Sequence, residues 1–248
     1  MLELFLPRIA TIRRAANILL VVAMFAAPGC GGGSNNTQPT PKLHVYDLSA
    51  NFSFANNPNG VWQYGYAASN SLAPDQFQID AVADTSNPVG FWHPSTSVNS
   101  GVTSGFYPYV AQNTTNVSRT DPQHGWAARA GEVAMEANGT GQYSLVRFVA
   151  PQSADYLVTA TFEGIHFRLS TTDVHILHNA ASVFDADIDG YGGDPAFHAV
   201  QGAHPTASYS GTLHLNSGDI VTFAVGYGAD KTVFNDTTGL FAHITSTF

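Results

Sequence analysis

The feature that most constrains the fold is the alternation of apolar and polar residues in short runs bounded by turn residues. Residues 156–162, YLVTATF, are the clearest case, with Tyr, Val, Ala and Phe at every second position. Successive side chains of a strand point to opposite faces, so a period of two predicts a strand with one buried face. From Leu43 to the end of the chain, no convincing run follows the helical period.

Five further segments rich in β-branched and aromatic residues have the length of strands. They are residues 145–149, 173–177, 207–215, 220–225 and 240–245. The turn Asn216–Asp219 has Asn and Gly where a positive φ costs little, and it predicts a tight hairpin between two of these strands. The one candidate helix, 126–137 (WAARAGEVAMEA), contains Gly131, which favours a single short turn over a full helix.

The same pattern indicates the fold class and the domain organisation. Parallel strands need crossover connections of about a dozen residues, usually helices, and no such helices are found. Residues 67–116 contain four prolines and too few aliphatic residues for a core of their own, so we interpret them as edge strands and long loops. The sequence predicts one all-β domain over residues 42–248, an antiparallel β-sandwich of jelly-roll type with long loops.

Charged residues are few and mostly acidic. Only 11% of the 248 residues are charged, with nine basic and 18 acidic side chains and a formal net charge of −9. Phosphate backbones are bound by several cations on one face, and the body of the chain has no Lys/Arg cluster, which argues against nucleic acid as a partner. The single Cys excludes a fold held by intrachain disulfides.

Residues 1–29 have the layout of a secretory signal. Three arginines precede the apolar run AANILLVVAMFAA, which ends in small residues. The run is shorter than the ~20 residues of a membrane-spanning helix; an uncleaved N-terminal anchor is the alternative. Loss of residues 1–29 leaves six basic and 17 acidic residues, with no basic patch to hold an anionic surface.

The only Cys of the chain directly follows Ala27, Pro28 and Gly29. This segment resembles the lipobox of bacterial lipoproteins, in which the Cys becomes the lipid-bearing first residue of the mature protein. The resemblance implies lipidation at Cys30 and a place in the cell envelope outside the cytoplasm, in the periplasm or at the cell surface, with the lipid as the membrane contact. Residues 30–41 are interpreted as the lipidated Cys and a flexible tether.

Four segments of the body carry a further resemblance: residues 46–66, 144–164, 171–184 and 217–244. Their order and spacing resemble an exported bacterial β-sandwich domain of uncharacterised function, which recurs alone or attached to other modules. That domain is similar in architecture to carbohydrate-binding jelly rolls. The resemblance covers most of residues 46–246 and implies a non-catalytic extracytoplasmic domain, without identifying a ligand.

Aromatic residues are the candidates for a sugar site, because pyranose rings stack their C–H faces on flat aromatic rings while Asn, Gln and Asp bond the hydroxyls. Trp92 and Trp126 fall in Pro- and Gly-rich stretches that we interpret as loops, where binding residues are over-represented. Tyr107 and Tyr109 belong to the same region. These four are the predicted ligand-binding residues; the alternative is that they cap the ends of the sandwich. Trp62 is interpreted as a core residue.

The segment DADIDG, residues 185–190, has carboxylates at alternate positions before a Gly, as in the first half of a calcium loop. Ala196 stands where an EF-hand loop needs a bidentate Glu, so only a looser structural calcium site is predicted. Its ligands would be Asp185, Asp187, Asp189 and Asp194. The alternative is an acidic, solvated turn between strands. The resemblance to jelly rolls makes Asp236, beside the last strand, a second candidate calcium ligand.

The sequence contains no nucleophile elbow, zinc-binding helix or phosphate-binding loop. Glycoside hydrolysis would need two carboxyl groups about 5 to 9 Å apart. Glu132, Glu136 and Glu163 are the only Glu residues after residue 29, and we expect the first two to share a face only if their segment is helical.

The sequence therefore leaves three candidate functions. The first is an envelope lipoprotein with a non-catalytic binding module for carbohydrate. The second is an envelope scaffold or adhesion protein that binds a protein partner, and the third is a weak or unrecognised hydrolase. Exposed aromatic rings beside amide side chains would favour sugar, whereas an uncovered edge strand or a broad apolar patch would favour a protein partner.

The lipid anchor gives the first testable prediction. In a bacterial host, Cys30→Ser should abolish both acylation at residue 30 and cleavage before it, because the thiol that would carry the lipid is gone. Mass spectrometry of the N-terminus and fractionation of the cells measure both effects. A variant that is cleaved at the same bond and stays with the membranes contradicts the prediction.

Overall fold

The computed structural model describes residues 40–95, 107–121 and 125–248. Its first nine strands are β1 (Leu43–Asp47), β2 (Trp62–Ala67), β3 (Phe77–Ile79), β4 (Val82–Asp84), β5 (Val89–His93), β6 (Tyr109–Asn113), β7 (Arg119–Asp121), β8 (Trp126–Ala128) and β9 (Val133–Glu136). The others are β10 (Ser144–Val149), β11 (Ala154–Gly164), β12 (Ser170–His178), β13 (Ala181–Tyr191), β14 (Gln201–His204), β15 (Thr206–Leu215), β16 (Ile220–Val225) and β17 (Thr238–Thr247). Within these ranges, helix is limited to α1 (Leu48–Asn51) and one 3-10 turn, Pro74–Gln76.

The described strands form two large antiparallel sheets. Sheet A has the order β15-β11-β17-β9-β6-β5-β4, with β1 also paired to β17. Sheet B has the order β14-β13-β12-β16-β10-β2-β3, and β7 pairs with β8 as a separate ribbon. The predicted all-β class and antiparallel β-sandwich of jelly-roll type are confirmed. In residues 67–116, β3 and β4 are edge strands as expected, whereas β5 and β6 lie inside sheet A.

The core lies between the sheets, where the inward side chains of both meet. On β11, Tyr156 and Phe162 are fully buried, whereas Leu157 is 44% exposed, so the alternation predicted for residues 156–162 is confirmed. Sheet B contributes Phe148, whose ring lies 5.7 Å from that of Tyr156 in an edge-on arrangement that aromatic pairs prefer. Burial of each such side chain contributes roughly 1.5 to 3 kcal/mol.

The other predicted strands are present as β10, β12, β15, β16 and β17. The turn at residues 216–219 is present too: the N–H of Asp219 donates to the carbonyl of Asn216 at 3.0 Å, and Gly218 has a φ of +89°. The hairpin prediction is wrong, because β15 pairs with β11 in sheet A and β16 pairs with β10 and β12 in sheet B. Turn residues determine the reversal of the chain, but not the strands with which its two arms pair.

One further prediction of local structure holds in part and another is wrong. The short turn expected within residues 126–137 is present at Gly131, whose φ of +74° is left-handed and incompatible with a helix interior, but β8 and β9 flank it where no strands were predicted. Residues 185–190, predicted as a loop or turn, belong to β13. Asp is uncommon in strands, but here Ile188 is buried and the aspartates alternate with inward residues.

The predicted signal segment (residues 1–29), Cys30 and the tether as far as residue 39 lie outside the described residues. In the part of the chain that the structure does describe, no helix is both long and apolar enough to cross a bilayer.

Two substitutions on β11 test the assignment of its faces. Phe162→Ala should lower the free energy of unfolding by about 3 to 5 kcal/mol, because it leaves a cavity in the core. Leu157→Ala, on the outward face of the same strand, should cost less than about 1 kcal/mol. Urea unfolding of both variants measures the difference, and equal losses would show that the faces are assigned wrongly.

Candidate functional site

The outer face of sheet A carries an apolar patch on β5, β6 and β9. Val89, Phe91, Tyr109, Ala111 and Ala134 point outward there, away from the main core, and form a separate hydrophobic cluster. The Phe91 and Tyr109 rings lie 5.2 Å apart and nearly perpendicular. Strand alternation produces this arrangement, because every second residue of these strands faces away from sheet B.

The β7–β8 ribbon packs against this patch and brings Trp126 to it. The ribbon turns at Gly125, whose φ is +85° and whose N–H donates to the carbonyl of Asp121 at 2.6 Å. Ala127 in β8 donates its N–H to the carbonyl of Ile165 at 3.1 Å. These backbone hydrogen bonds hold Trp126 half-buried at the mouth of a cleft.

The cleft between β5 and the ribbon has a volume of about 640 Å³, within the range of about 300 to 1,000 Å³ that is common for small-molecule sites. Phe91 and Trp126 are its aromatic walls. Its other lining residues are Asn87, Pro88, Val89, Arg119, Thr120 and Asp121. The site therefore combines flat apolar surfaces with amide, hydroxyl, guanidinium and carboxylate groups that can bond hydroxyls.

A small cavity of about 30 Å³ adjoins the cleft and shares Val89, Phe91 and Trp126 with it. Tyr109 and Thr237 also line this cavity. Both donate hydrogen bonds to Oε2 of Glu136, the Tyr109 hydroxyl at 2.8 Å and the Thr237 hydroxyl at 2.6 Å. A buried carboxyl group thus lies behind the aromatic wall of the cleft.

The environment of Glu136 favours its neutral form. Desolvation by burial raises its pKa from 4.5 to about 7, against the lowering effect of the hydrogen bonds from Thr237 and Tyr109. The pKa of Tyr109 is raised as well, first by burial and then by the charge of Glu136. Near neutral pH this carboxyl group gains and loses a proton, which an exposed Glu does not do.

A second cluster of acidic side chains, Glu132 and Glu163, lies on the same side of sheet A, around Arg129. Its guanidinium donates from Nη1 to both oxygens of Glu163, at 2.5 and 2.7 Å, and from Nη2 to the carbonyl of Gly193 at 2.8 Å. Oε2 of Glu132 accepts the N–H of Arg129 at 2.6 Å. Burial, and then the charge of Glu163, raise the pKa of Glu132 well above its usual value. These groups bind one another and do not line the cleft.

The expectation that Glu132 and Glu136 share a face only in a helix is wrong. Residues i and i+4 of an extended chain also point the same way, because the side-chain period is two. Both carboxyl groups point outward from sheet A, but each is held in a different hydrogen-bond network.

The structure brings two of the four predicted ligand-binding residues together. Trp126 and Tyr109 belong to the patch at the cleft. Tyr107 lies outside the lining of the cleft and stacks on His93, with ring centroids 4.3 Å apart.

Trp92 is a core residue, and its prediction as a ligand contact is wrong. It lies in β5, not in a loop, and is only 6% exposed. Its ring stacks with Phe54 and Tyr64 at centroid distances of 6.4 Å, and its indole N–H donates to the carbonyl of Ser53 at 2.7 Å. Neighbouring residues of a strand face opposite ways, so inward Trp92 leaves Phe91 outward.

Phe91 forms an aromatic wall of the cleft but was not among the four predicted ligand-binding residues. The signal was present in VGFWH, residues 89–93, in which Val89 and Phe91 occupy alternate positions. Interpreting this segment as a loop removed the reason to look for a period of two.

The four predicted calcium ligands do not fit a chelating loop. Asp185, Asp187 and Asp189 stand on the exposed face of β13, where same-face residues are spaced about 6.8 Å apart. Asp185 bonds Nδ1 of His175 at 2.5 Å, and Asp194 accepts the N–H of Ala196 at 2.9 Å. Across the described ranges, no three His, Cys, Asp or Glu side chains are grouped so that they could hold a metal ion.

Asp236, the second candidate calcium ligand, is fully buried. Its Oδ1 accepts the N–H of Thr171 at 2.9 Å, while its Oδ2 has no hydrogen-bond partner. Burial raises its pKa from 3.8 to about 8. Calcium binding at Asp236 stays a prediction.

Comparisons with known proteins do not assign this chain to a family. No family model matches it, and no curated protein does. Among solved structures, the chain is similar to a β-glucosidase from Kluyveromyces marxianus, with 18% identity and a TM-score of 0.26 over 43% of this chain and 11% of that one. It thus spans only a small part of that enzyme.

Two smaller structures are covered almost completely. A family 35 carbohydrate-binding module from Clostridium thermocellum has 12% identity and a TM-score of 0.28 over 66% of this chain and 95% of that one. The K2 cleaved adhesin domain of Lys-gingipain has 12% identity and a TM-score of 0.33 over 83% and 98%.

The raised pKa of Glu136 gives a prediction about stability. The folded protein keeps this proton up to about pH 7 while the unfolded chain releases it near pH 4.5, so the free energy of unfolding falls as pH rises between these values. Glu136→Gln has no such proton to lose. Between pH 5 and pH 8, the free energy of unfolding of the variant should therefore rise by roughly 2 to 3 kcal/mol relative to that of wild type.

Urea unfolding of both proteins at the two pH values measures this gain. Comparing wild type with variant at each pH cancels the titration of groups that the two proteins share. If the two proteins differ in free energy of unfolding by the same amount at pH 5 and pH 8, the raised pKa is wrongly assigned to Glu136.

Proposed function

We propose that this chain is a non-catalytic carbohydrate-binding protein and that the cleft between β5 and the β7–β8 ribbon is its binding site. The observation that carries the proposal is the convergence of Phe91, Tyr109 and Trp126 on one outward patch, beside a cleft with polar groups. A sugar ring needs this combination, because it has apolar C–H faces and a rim of hydroxyls.

The lining of the cleft favours a neutral sugar over a charged ligand. Arg119 and Asp121 contribute one formal charge of each sign, and Asn87 and Thr120 are neutral hydrogen-bonding groups. The buried Glu136 behind the wall adds no fixed charge below about pH 7. A strongly anionic ligand would meet a chain of net charge −9 with a single cation in the cleft.

The arrangement of the carboxyl groups favours binding over hydrolysis. Glu136 accepts hydrogen bonds from Tyr109 and Thr237, and both oxygens of Glu163 accept hydrogen bonds from Nη1 of Arg129. Neither side chain lines the cleft, and Asp121 is the one carboxyl group among its described lining residues. An acid and a base for glycoside cleavage would have to reach opposite sides of the scissile bond.

We further propose that the protein acts at the cell envelope, held by a lipid on Cys30. Residues 31–39 are mostly Gly, Ser, Asn, Thr and Pro and would form the flexible tether. The tether would let the cleft reach polysaccharide at a distance from the bilayer.

A glycan array, followed by calorimetry on the best ligand, tests the sugar site. Trp126→Ala and Phe91→Ala should each weaken binding at least about tenfold, as expected when an aromatic hot spot is truncated. Trp126→Phe keeps a ring and should retain part of the affinity. Phe241→Ala removes a partly exposed ring elsewhere on sheet A and should bind like wild type.

Three outcomes would contradict the proposal. Binding unchanged in both alanine variants would place the site elsewhere. An array with no signal would favour a protein partner. Release of reducing ends from a glycan by wild type, lost in Glu136→Gln, would favour the hydrolase.

A further inference from the structure

The edge of sheet A formed by β15 is long and uncovered. β15 runs for ten residues, Thr206–Leu215, and ends the strand order of its sheet, with β11 as its neighbour. Within the described ranges, no backbone group bonds to the other side of β15. Its inward residues are partly exposed, as expected at an open edge.

The hydrogen-bond pattern identifies the backbone groups that are free. The N–H of Gly164 donates to the carbonyl of Pro205 at 3.1 Å, and alternate residue pairs of an antiparallel ladder are hydrogen-bonded. In the register of β11 and β15, Ala207, Tyr209, Gly211 and Leu213 therefore bond to β11. The N–H and C=O groups of Ser208, Ser210, Thr212 and His214 face the open side.

The other neighbour of β11 confirms this assignment. The N–H of Ile165 donates to the carbonyl of Thr237 at 3.1 Å, so the odd-numbered residues of β11 bond to β17 in their register. The even-numbered residues of β11 therefore form their backbone hydrogen bonds with β15.

β15 lacks the features that normally protect an edge. Its sequence, TASYSGTLHL, contains no Lys, Arg, Asp, Glu or Pro, and its ladder with β11 has no bulge. The edge strands β3 and β4 have three residues each and β14 has four. Short strands, charges, prolines and bulges are the usual protections against edge pairing.

We propose that the open edge of β15 pairs antiparallel with β15 of a second copy of this chain, making one continuous sheet across the two. A register centred on Gly211 places Ser208 opposite His214 and Ser210 opposite Thr212. Each of these four residues then exchanges two backbone hydrogen bonds with its opposite number, which satisfies every free group named above. The two-fold axis passes between the two Gly211 residues, neither of which has a side chain of its own to crowd it.

The edge itself favours a second copy over another kind of partner. A charged strand would find no opposite charge on β15, and two copies of a chain with net charge −9 can approach closely only through an uncharged segment. An isologous contact also requires a surface that is complementary to itself. The central pair of this register, Gly211 with Gly211, meets that requirement.

Sedimentation velocity of the full chain carrying Cys30→Ser, up to about 100 μM, tests the pairing. Wild-type β15 should give a reversible dimer. Adding Ser210→Pro removes a free N–H from each copy without removing a bond to β11 and should weaken the dimer at least about tenfold. Ser210→Lys should weaken it as well, whereas Thr159→Lys, directly opposite on β11, should not.

Cross-linking tests the register in the same Cys30→Ser background. Ser210→Cys protein mixed with Thr212→Cys protein should form a disulfide-linked dimer on oxidation, because the paired Cα atoms would lie about 5.5 Å apart. Thr159→Cys mixed with Thr212→Cys should not.

A monomer at the highest concentration overturns the proposal, as does a dimer that Ser210→Pro leaves intact. If Ser210→Pro does not fold, Ser210→Lys and Thr159→Lys test the pairing instead. Equal dimerisation of these two variants overturns it. A dimer without the Ser210–Thr212 cross-link overturns the register.

Discussion

The packing of two sheets face to face is the constraint on which the rest of this structure depends. It assigns every second residue of each strand to the core and leaves the others for the surface. On β5 this rule separates Trp92, which stacks inside the sandwich, from Phe91, which faces the cleft. Because inward positions are filled by the core, only outward residues and the segments that pack on them, such as the β7–β8 ribbon, are left to form the proposed site.

The strands with strict alternation could be predicted from the sequence because local pattern and burial agree there. β11 is the clearest example, with Phe162 inward and Leu157 outward. Residues 185–190 misled the interpretation because aspartates are typical of turns, yet their strand is held by inward Ile188 and by pairing with β12. Local pattern also does not determine which strands pair: the strands on either side of the turn at residues 216–219 belong to different sheets.

The candidate site could be predicted only in part, for a related reason. Trp126 and Tyr109 are about 17 residues apart in sequence, and they meet because β6 and the β7–β8 ribbon lie over the same patch. Composition pointed to the aromatic residues of this region but not to their faces. The carboxyl group of Glu136 behind the wall could not be anticipated, since its two hydroxyl partners come from Tyr109 and from Thr237, a hundred residues further along.

The cleft and the β15 edge lie at opposite ends of sheet A. Five strand spacings separate β15 from β5, so pairing through β15 would leave both clefts open, roughly 50 Å apart along the shared sheet. One short oligosaccharide could not reach both. A long polysaccharide could, and the second contact would then form at the high effective concentration set by the first. If each cleft binds sugar as proposed, two clefts paired in this way would hold a long polymer more tightly than a free sugar.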